Sequence, residues 1–291
     1  MTMSHTEAGN VEANRDRRLI ALAAVAIHLS IGSIYAYSIY QLPLEEAQGW
    51  ATSQVTLAFS IAVFVLGLTA AFLGTYVEEY GPRLAGLAAA VLYGAGMVGA
   101  GLSVQIGSLP LFLATFGVVG GMGIGLGYIS PIGTLLEWFP DRRGMATGLA
   151  VMGFGAGALL TGPLGSYLIQ EFSVATAFYG LGALYFVLMT LGASYLAKPA
   201  DGWLPEGMQD EEDAHEKATS ALPGIETLTA AEARTSTRFW MVWLVIFINV
   251  SAGIMLLAFA SPMLQQIGGA TATTAAFITG YIGIFNGGGR I

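Results

Sequence analysis

Eight long apolar runs separated by short polar breaks dictate what this chain can become. They lie near residues 19–41, 54–77, 84–104, 111–136, 145–169, 174–197, 239–263 and 272–291. About 20 mostly apolar residues make one membrane-crossing helix. In hydrocarbon a helix satisfies its own backbone N–H and C=O groups, whereas an open sheet leaves an edge unpaired. A β-barrel would instead read as alternating segments of about ten residues. The expected fold class is therefore an all-α polytopic membrane protein whose main partner is the lipid bilayer. Charged residues make up 10% of the 291, against about 25% in a soluble domain, too few to cover a water-facing surface. The first run follows Arg15, Arg17 and Arg18 but is too long for a signal peptide and has no small-residue cleavage site. It reads as a true span.

Lys and Arg occur at 15, 17, 18, 83, 142, 143, 198, 217, 234, 238 and 290. Ten of these eleven fall before the first run or in the second, fourth and sixth connections, and none in the odd-numbered ones. That alternation is the positive-inside pattern. It predicts a cytoplasmic N-terminus in a cell (inner or plasma) membrane, and a missed or invented span would scramble it. The expected organisation is a cytoplasmic tail (1–18), a six-helix transmembrane bundle (19–197), a cytoplasmic linker (198–238) and two further helices (239–291). The linker is rich in Pro, Gly and acids. Its stretch 227–234 reads as one surface helix, and its DEED run as a solvated loop. The net charge of −8 argues against a nucleic-acid partner. With no cysteine there is no thiolate chemistry. No motif calls for a cofactor or metal, and no HExxH, GxSxG or paired intramembrane acid supports an enzyme.

The stretch SIGSIYAYSIYQLP (30–43) is similar to SAGIMLLAFASPML (251–264), and GWATSQVTLAFSIAVFVLG (49–67) parallels GATATTAAFITGYIGIFNG (269–287). Two halves related by duplication, with a site between them, are a transporter architecture. Glycines 117, 121 and 125, and again 123 and 127, form small-x-x-x-small stripes that let helices approach closely in lipid.

GTYVEEYGPR (74–83) fits the G-x-x-x-D/E-x-x-G-x-R pattern that major facilitator superfamily transporters carry between their second and third helices, with Glu78 where Asp is usual. Here Gly74 is expected to allow close helix approach, Gly81 and Pro82 to make the turn, and Arg83 to pair with an acid or a helix C-terminus. GFGAGALLTGPLG (153–165) resembles that superfamily's Gly-Pro motif, with Gly162 and a kink at Pro163. EWFPDRRGMATG (137–148), carrying Arg142 and Arg143, closely resembles the oxalate/formate antiporter family. So, taken with it, do GSIYAYSIY, GYISP and FNGGGR. The resemblance implies a major facilitator fold: an N-terminal six-helix bundle plus the first two helices of the second. It also implies secondary active transport, by alternating access, of small carboxylates of the oxalate/formate or monocarboxylate type. The alternative is a transport-inactive sensor or regulatory subunit that keeps the fold. Six helices plus two do not close a two-bundle carrier. The chain is therefore expected to be a fragment whose missing C-terminal helices are its partners, and residues 1–291 alone are expected not to transport.

Few polar residues lie within the spans. His28 is about 14 Å into the first run and shares a face with Gly32 and Tyr35. It reads either as a functional intramembrane group or as a neutral histidine hydrogen-bonded between helices. Tyr35 and Tyr128 match aromatic positions that the resemblance marks as a substrate cage, and otherwise read as core packing. Gln41 and Asn249 are weaker candidates. Repeat alignment sets Arg290 opposite Ala70 or Ala71, about 11 Å inside the cytoplasmic end of its helix. An arginine near a helix centre costs about 2.5–3.5 kcal/mol to insert. It either snorkels to the headgroups or faces the central cavity, where its planar fork grips a carboxylate. The resemblance favours the second.

Overall fold

The computed structural model describes residues 15–200, 202–205, 208 and 230–288. Among them, seven helices are long and apolar enough to cross a membrane: α1 (Arg17–Gln48), α2 (Thr52–Tyr80), α3 (Pro82–Gln105), α4 (Leu109–Trp138), α5 (Pro140–Glu171), α6 (Val174–Tyr195) and α7 (Thr237–Gln266). The expected eighth, α8, is described over Ala272–Gly288, 17 residues, at the short end of the spanning range. A short helix, Ala230–Thr235, precedes α7 and overlaps the expected surface helix.

Local chemistry sets the helix limits. Asp16 accepts the N–H of Arg18 at 2.8 Å and opens α1, and Ser173 caps α6 through the N–H of Thr176. Gly81 closes α2 at φ 83°, a conformation that favours glycine, and Pro82 begins α3 where its missing N–H costs nothing. Within α1, Gly32–Tyr40 tightens to 3₁₀ winding. Ser33 Oγ donates to the carbonyl of Ser30 at 2.6 Å there. Pro43 follows, a residue that cannot donate and whose ring crowds the carbonyl four residues back.

The glycines decide which helices meet. A methyl at Gly121 or Gly125 would lie 2.8 Å from the carbonyls of Ala62 or Leu66, so the 117/121/125 stripe packs on α2. Gly123 abuts the backbone of Tyr93 on α3, and Gly127 faces Ile31 on α1. The two stripes thus serve different neighbours. At the α1–α5 crossing a methyl on Gly32 would collide with the carbonyl of Phe154, and one on Gly157 with that of Leu29. By contrast a methyl at Gly74 would meet nothing within 4 Å. The close approach expected at Gly74 is not made by the described residues, because the facing surface of α2 is uncovered: Phe72 and Tyr76 beside it are exposed.

α8 packs on α5 through small residues on both sides. A methyl on Gly162 would stand 2.5 Å from the carbonyl of Ala276, and Gly280 faces Leu159. α7 is buried only at Leu257, Ala258, Ala260, Ser261 and Pro262, while Phe239 to Ile248 are exposed. Large exposed side chains such as Phe64, Phe72, Leu102 and Leu191 give the bundle the apolar exterior that lipid requires.

Candidate functional site

Gly32 permits the backbone of α5 to enter at Phe154, and that contact organises the middle of the bundle. The Phe154 ring stands edge-on to Tyr35 of α1 (centroids 4.8 Å apart) and to Tyr128 of α4 (5.7 Å). Tyr128 in turn stands edge-on to His28 at 5.7 Å. Edge-to-face pairs at these spacings are favourable. Three of the four expected site residues, His28, Tyr35 and Tyr128, are thereby joined through a fourth ring. Arg290 lies outside the described residues.

His28 is fully buried. Its Nδ1 donates to the carbonyl of Ala24 at 3.1 Å. A carbonyl only accepts, so Nδ1 carries the hydrogen and Nε2 of the neutral ring is an acceptor. Among the described residues no donor reaches that acceptor, although the Tyr128 backbone lies close enough to act on the ring.

Sequence reasoning passed over Phe154 as a site residue. Its only signal was its place between Gly153 and Gly155. It also missed a buried hydroxyl relay. Ser33 Oγ meets the hydroxyl of Tyr93, and Thr161 Oγ1 meets that of Tyr185 at 2.6 Å. The Tyr93 and Tyr185 rings stack with centroids 6.0 Å apart.

The other motif residues gather at the end of the bundle that carries the basic connections. Asp141 accepts from Arg17 Nη1 at 3.2 Å, and Arg142 Nε lies 3.6 Å from it. The Arg17 guanidinium sits over Phe139, 5.3 Å from the ring centroid. Trp138 Nε1 donates to the carbonyl of Ala197 at 2.7 Å. The EWFPDRRG turn thus ties the start of α1 to the end of α6. The side chains of Arg143 and Arg83 make no hydrogen bond or ion pair among the described residues. The expected partner of Arg83, a helix C-terminus, is served instead by Lys198, whose Nζ donates to the carbonyl of Glu78 at 2.8 Å. Gly162 meets α8, as described, and Pro163 lies inside α5.

The Major Facilitator Superfamily profile matches residues 20–291. The chain belongs to that superfamily. It is 25% identical over 273 residues to the oxalate:formate antiporter of Oxalobacter formigenes, covering 93% of this chain and 60% of that protein. It is 22% identical to the uncharacterized MFS-type transporter YhjX of Escherichia coli K12, covering 95% of this chain and 65% of YhjX. The chain therefore spans less than two thirds of either relative. Among solved structures, the partially occluded inward-open xylose transporter XylE from E. coli superposes with a TM-score of 0.62. It has 18% identity and covers 94% of this chain and 71% of that one. At that identity the likeness speaks for the fold alone. The expected superfamily fold, read from the span count and the motif order, is what the chain adopts.

Proposed function

We propose that the protein is a secondary transporter of small organic anions, of the oxalate/formate or monocarboxylate type, that works by alternating access. The carrying observation is the chain of four rings, His28, Tyr128, Phe154 and Tyr35, at the crossing of α1, α4 and α5. Its long-range support is the likeness to the oxalate:formate antiporter along nearly the whole chain. Aromatic edges and a hydroxyl suit a small planar anion, which asks for little volume and much directional contact. In this reading Arg290 supplies the cation, and its fork binds one carboxylate through two parallel N–H···O bonds. Gly283 of α8, seven positions before Arg290 in the sequence, abuts Gly155, next to Phe154. The basic end is the cytoplasmic one, as the positive-inside pattern requires. The two six-helix halves move relative to each other at the glycine-lined α5–α8 contact and at the α1–α7 contact.

The test is carboxylate exchange. Proteoliposomes holding the full gene product and preloaded with unlabelled oxalate or formate should take up the labelled anion faster than empty-loaded ones. Equal, background-level uptake under both loadings contradicts exchange.

A further inference from the structure

A crevice of about 450 Å³ opens between the α2–α3 turn and the end of α6. Two cations, Arg83 and Lys198, line it, and among the described residues no acidic side chain does. Its remaining wall is apolar, with Leu87 and the buried Leu196 inside and Tyr80 and Leu84 at the rim, 60% and 56% exposed. Glu78 and Glu137 act electrostatically on one another and Lys198 acts on Glu137, but neither acid belongs to the crevice wall.

We propose that this crevice binds an anionic phospholipid, with Arg83 and Lys198 on the phosphate and the leucines along the upper acyl chains. Four observations carry it. Arg83 makes no ion pair among the described residues. Lys198 spends one N–H on the carbonyl of Glu78 and keeps two of its three donors. The crevice lies where α2 ends, α3 begins and α6 ends, at the level where spanning helices pass from hydrocarbon to headgroups. Tyr80 and Leu84 at its rim are exposed among the described residues, an apolar edge of the kind acyl chains cover. A free phosphate would satisfy the cations and leave the leucines bare; a phospholipid satisfies both. Basic pockets between spanning helices near a bilayer surface are suited to anionic headgroups. The site is separate from the four-ring cluster and does not depend on the transport reading.

The experiment uses the whole protein in nanodiscs of phosphatidylcholine doped with phosphatidylglycerol, with native mass spectrometry to count retained lipid. Arg83→Gln with Lys198→Gln should weaken phosphatidylglycerol retention about tenfold or more and leave phosphatidylethanolamine retention unchanged. Arg83→Lys with Lys198→Arg should retain the lipid. Excess inorganic phosphate should not displace it. In the unsubstituted protein, a photoactivatable phosphatidylglycerol should label segments 80–87 and 196–198, so the inference stays testable if the glutamine variant fails to insert. Wild-type retention by the glutamine variant, loss in the charge-conserving variant, displacement by phosphate, or labelling only elsewhere would each overturn it.

Discussion

Ser38 Oγ accepts a hydrogen bond from the backbone N–H of Ser261 across 3.2 Å, both groups buried. The two residues belong to the two stretches whose likeness marks the internal repeat, so the first helix of one half is tied to the first helix of the other. Pro262, inside α7, follows Ser261. A second tie, Gln170 Nε2 to Thr273 Oγ1 at 3.2 Å, joins α5 to α8 at the same end.

Such bonds between membrane helices average about 0.6 kcal/mol. Ser38→Ala should therefore lower stability by about that amount. In the transport reading it should also shift the balance of conformations toward the one open at this end. Cysteine accessibility across the α1–α7 contact reads that shift, and unchanged accessibility would count against Ser38 as a latch.

The glycines give predictions of opposite sign. Gly32→Ala drives a methyl into a backbone carbonyl of α5, which cannot step aside as a side chain can, and should cost about 1–3 kcal/mol. Gly74→Ala meets open space and should be neutral or stabilise by up to about 1 kcal/mol through helix propensity. Thermal unfolding in detergent compares them. Equal effects would mean that the α1–α5 crossing is not set by Gly32.

At the basic end the two ties differ in weight. Trp138→Phe strips the donor from a buried carbonyl and should cost about 1–3 kcal/mol. Asp141→Asn removes an ion pair whose side chains are 34% and 23% exposed and should cost no more than about 1 kcal/mol, less in high salt. A larger loss for Asp141→Asn would reverse this ranking.

Much of the fold was legible because the signal was long and redundant. Each span shows as a run of apolar residues, and the alternation of basic connections checks the count independently. Residues far apart in the chain were not legible as neighbours. Nothing near Arg83 announced that Lys198, 115 positions on, would take the carbonyl of Glu78. Nor did the two glycine stripes of α4 say which helix each would meet, since a stripe specifies a close approach and not a partner. Phe154 was hidden for a related reason: a phenylalanine between glycines reads as packing until its two ring partners, Tyr35 and Tyr128, are seen to come from other helices.

Orientation is open to a direct check. The chain has no cysteine, so single cysteines introduce unambiguous labelling sites. One near Trp50 or Gln170 should react with a membrane-impermeant maleimide from outside intact cells, and one at residue 1 or within 205–230 only after permeabilisation. The reverse pattern would invert the topology.

Tyr128→Phe keeps the edge contacts to His28 and Phe154 and removes only the hydroxyl. If that hydroxyl touches substrate, KM for the carboxylate should rise several-fold with unfolding temperature unchanged. An unaltered KM would leave Tyr128 as packing alone.

In the proposed function, small carboxylates are moved while gripped by Arg290. Counterflow of labelled oxalate and formate into proteoliposomes holding the full gene product, compared among wild type, Arg290→Lys and Arg290→Gln, tests it most directly. The account predicts robust uptake by the wild type, weakened uptake by the lysine variant despite its retained charge, and none by the glutamine variant at equal membrane insertion. Wild-type uptake by the glutamine variant, or no carboxylate uptake by any of the three, would contradict it.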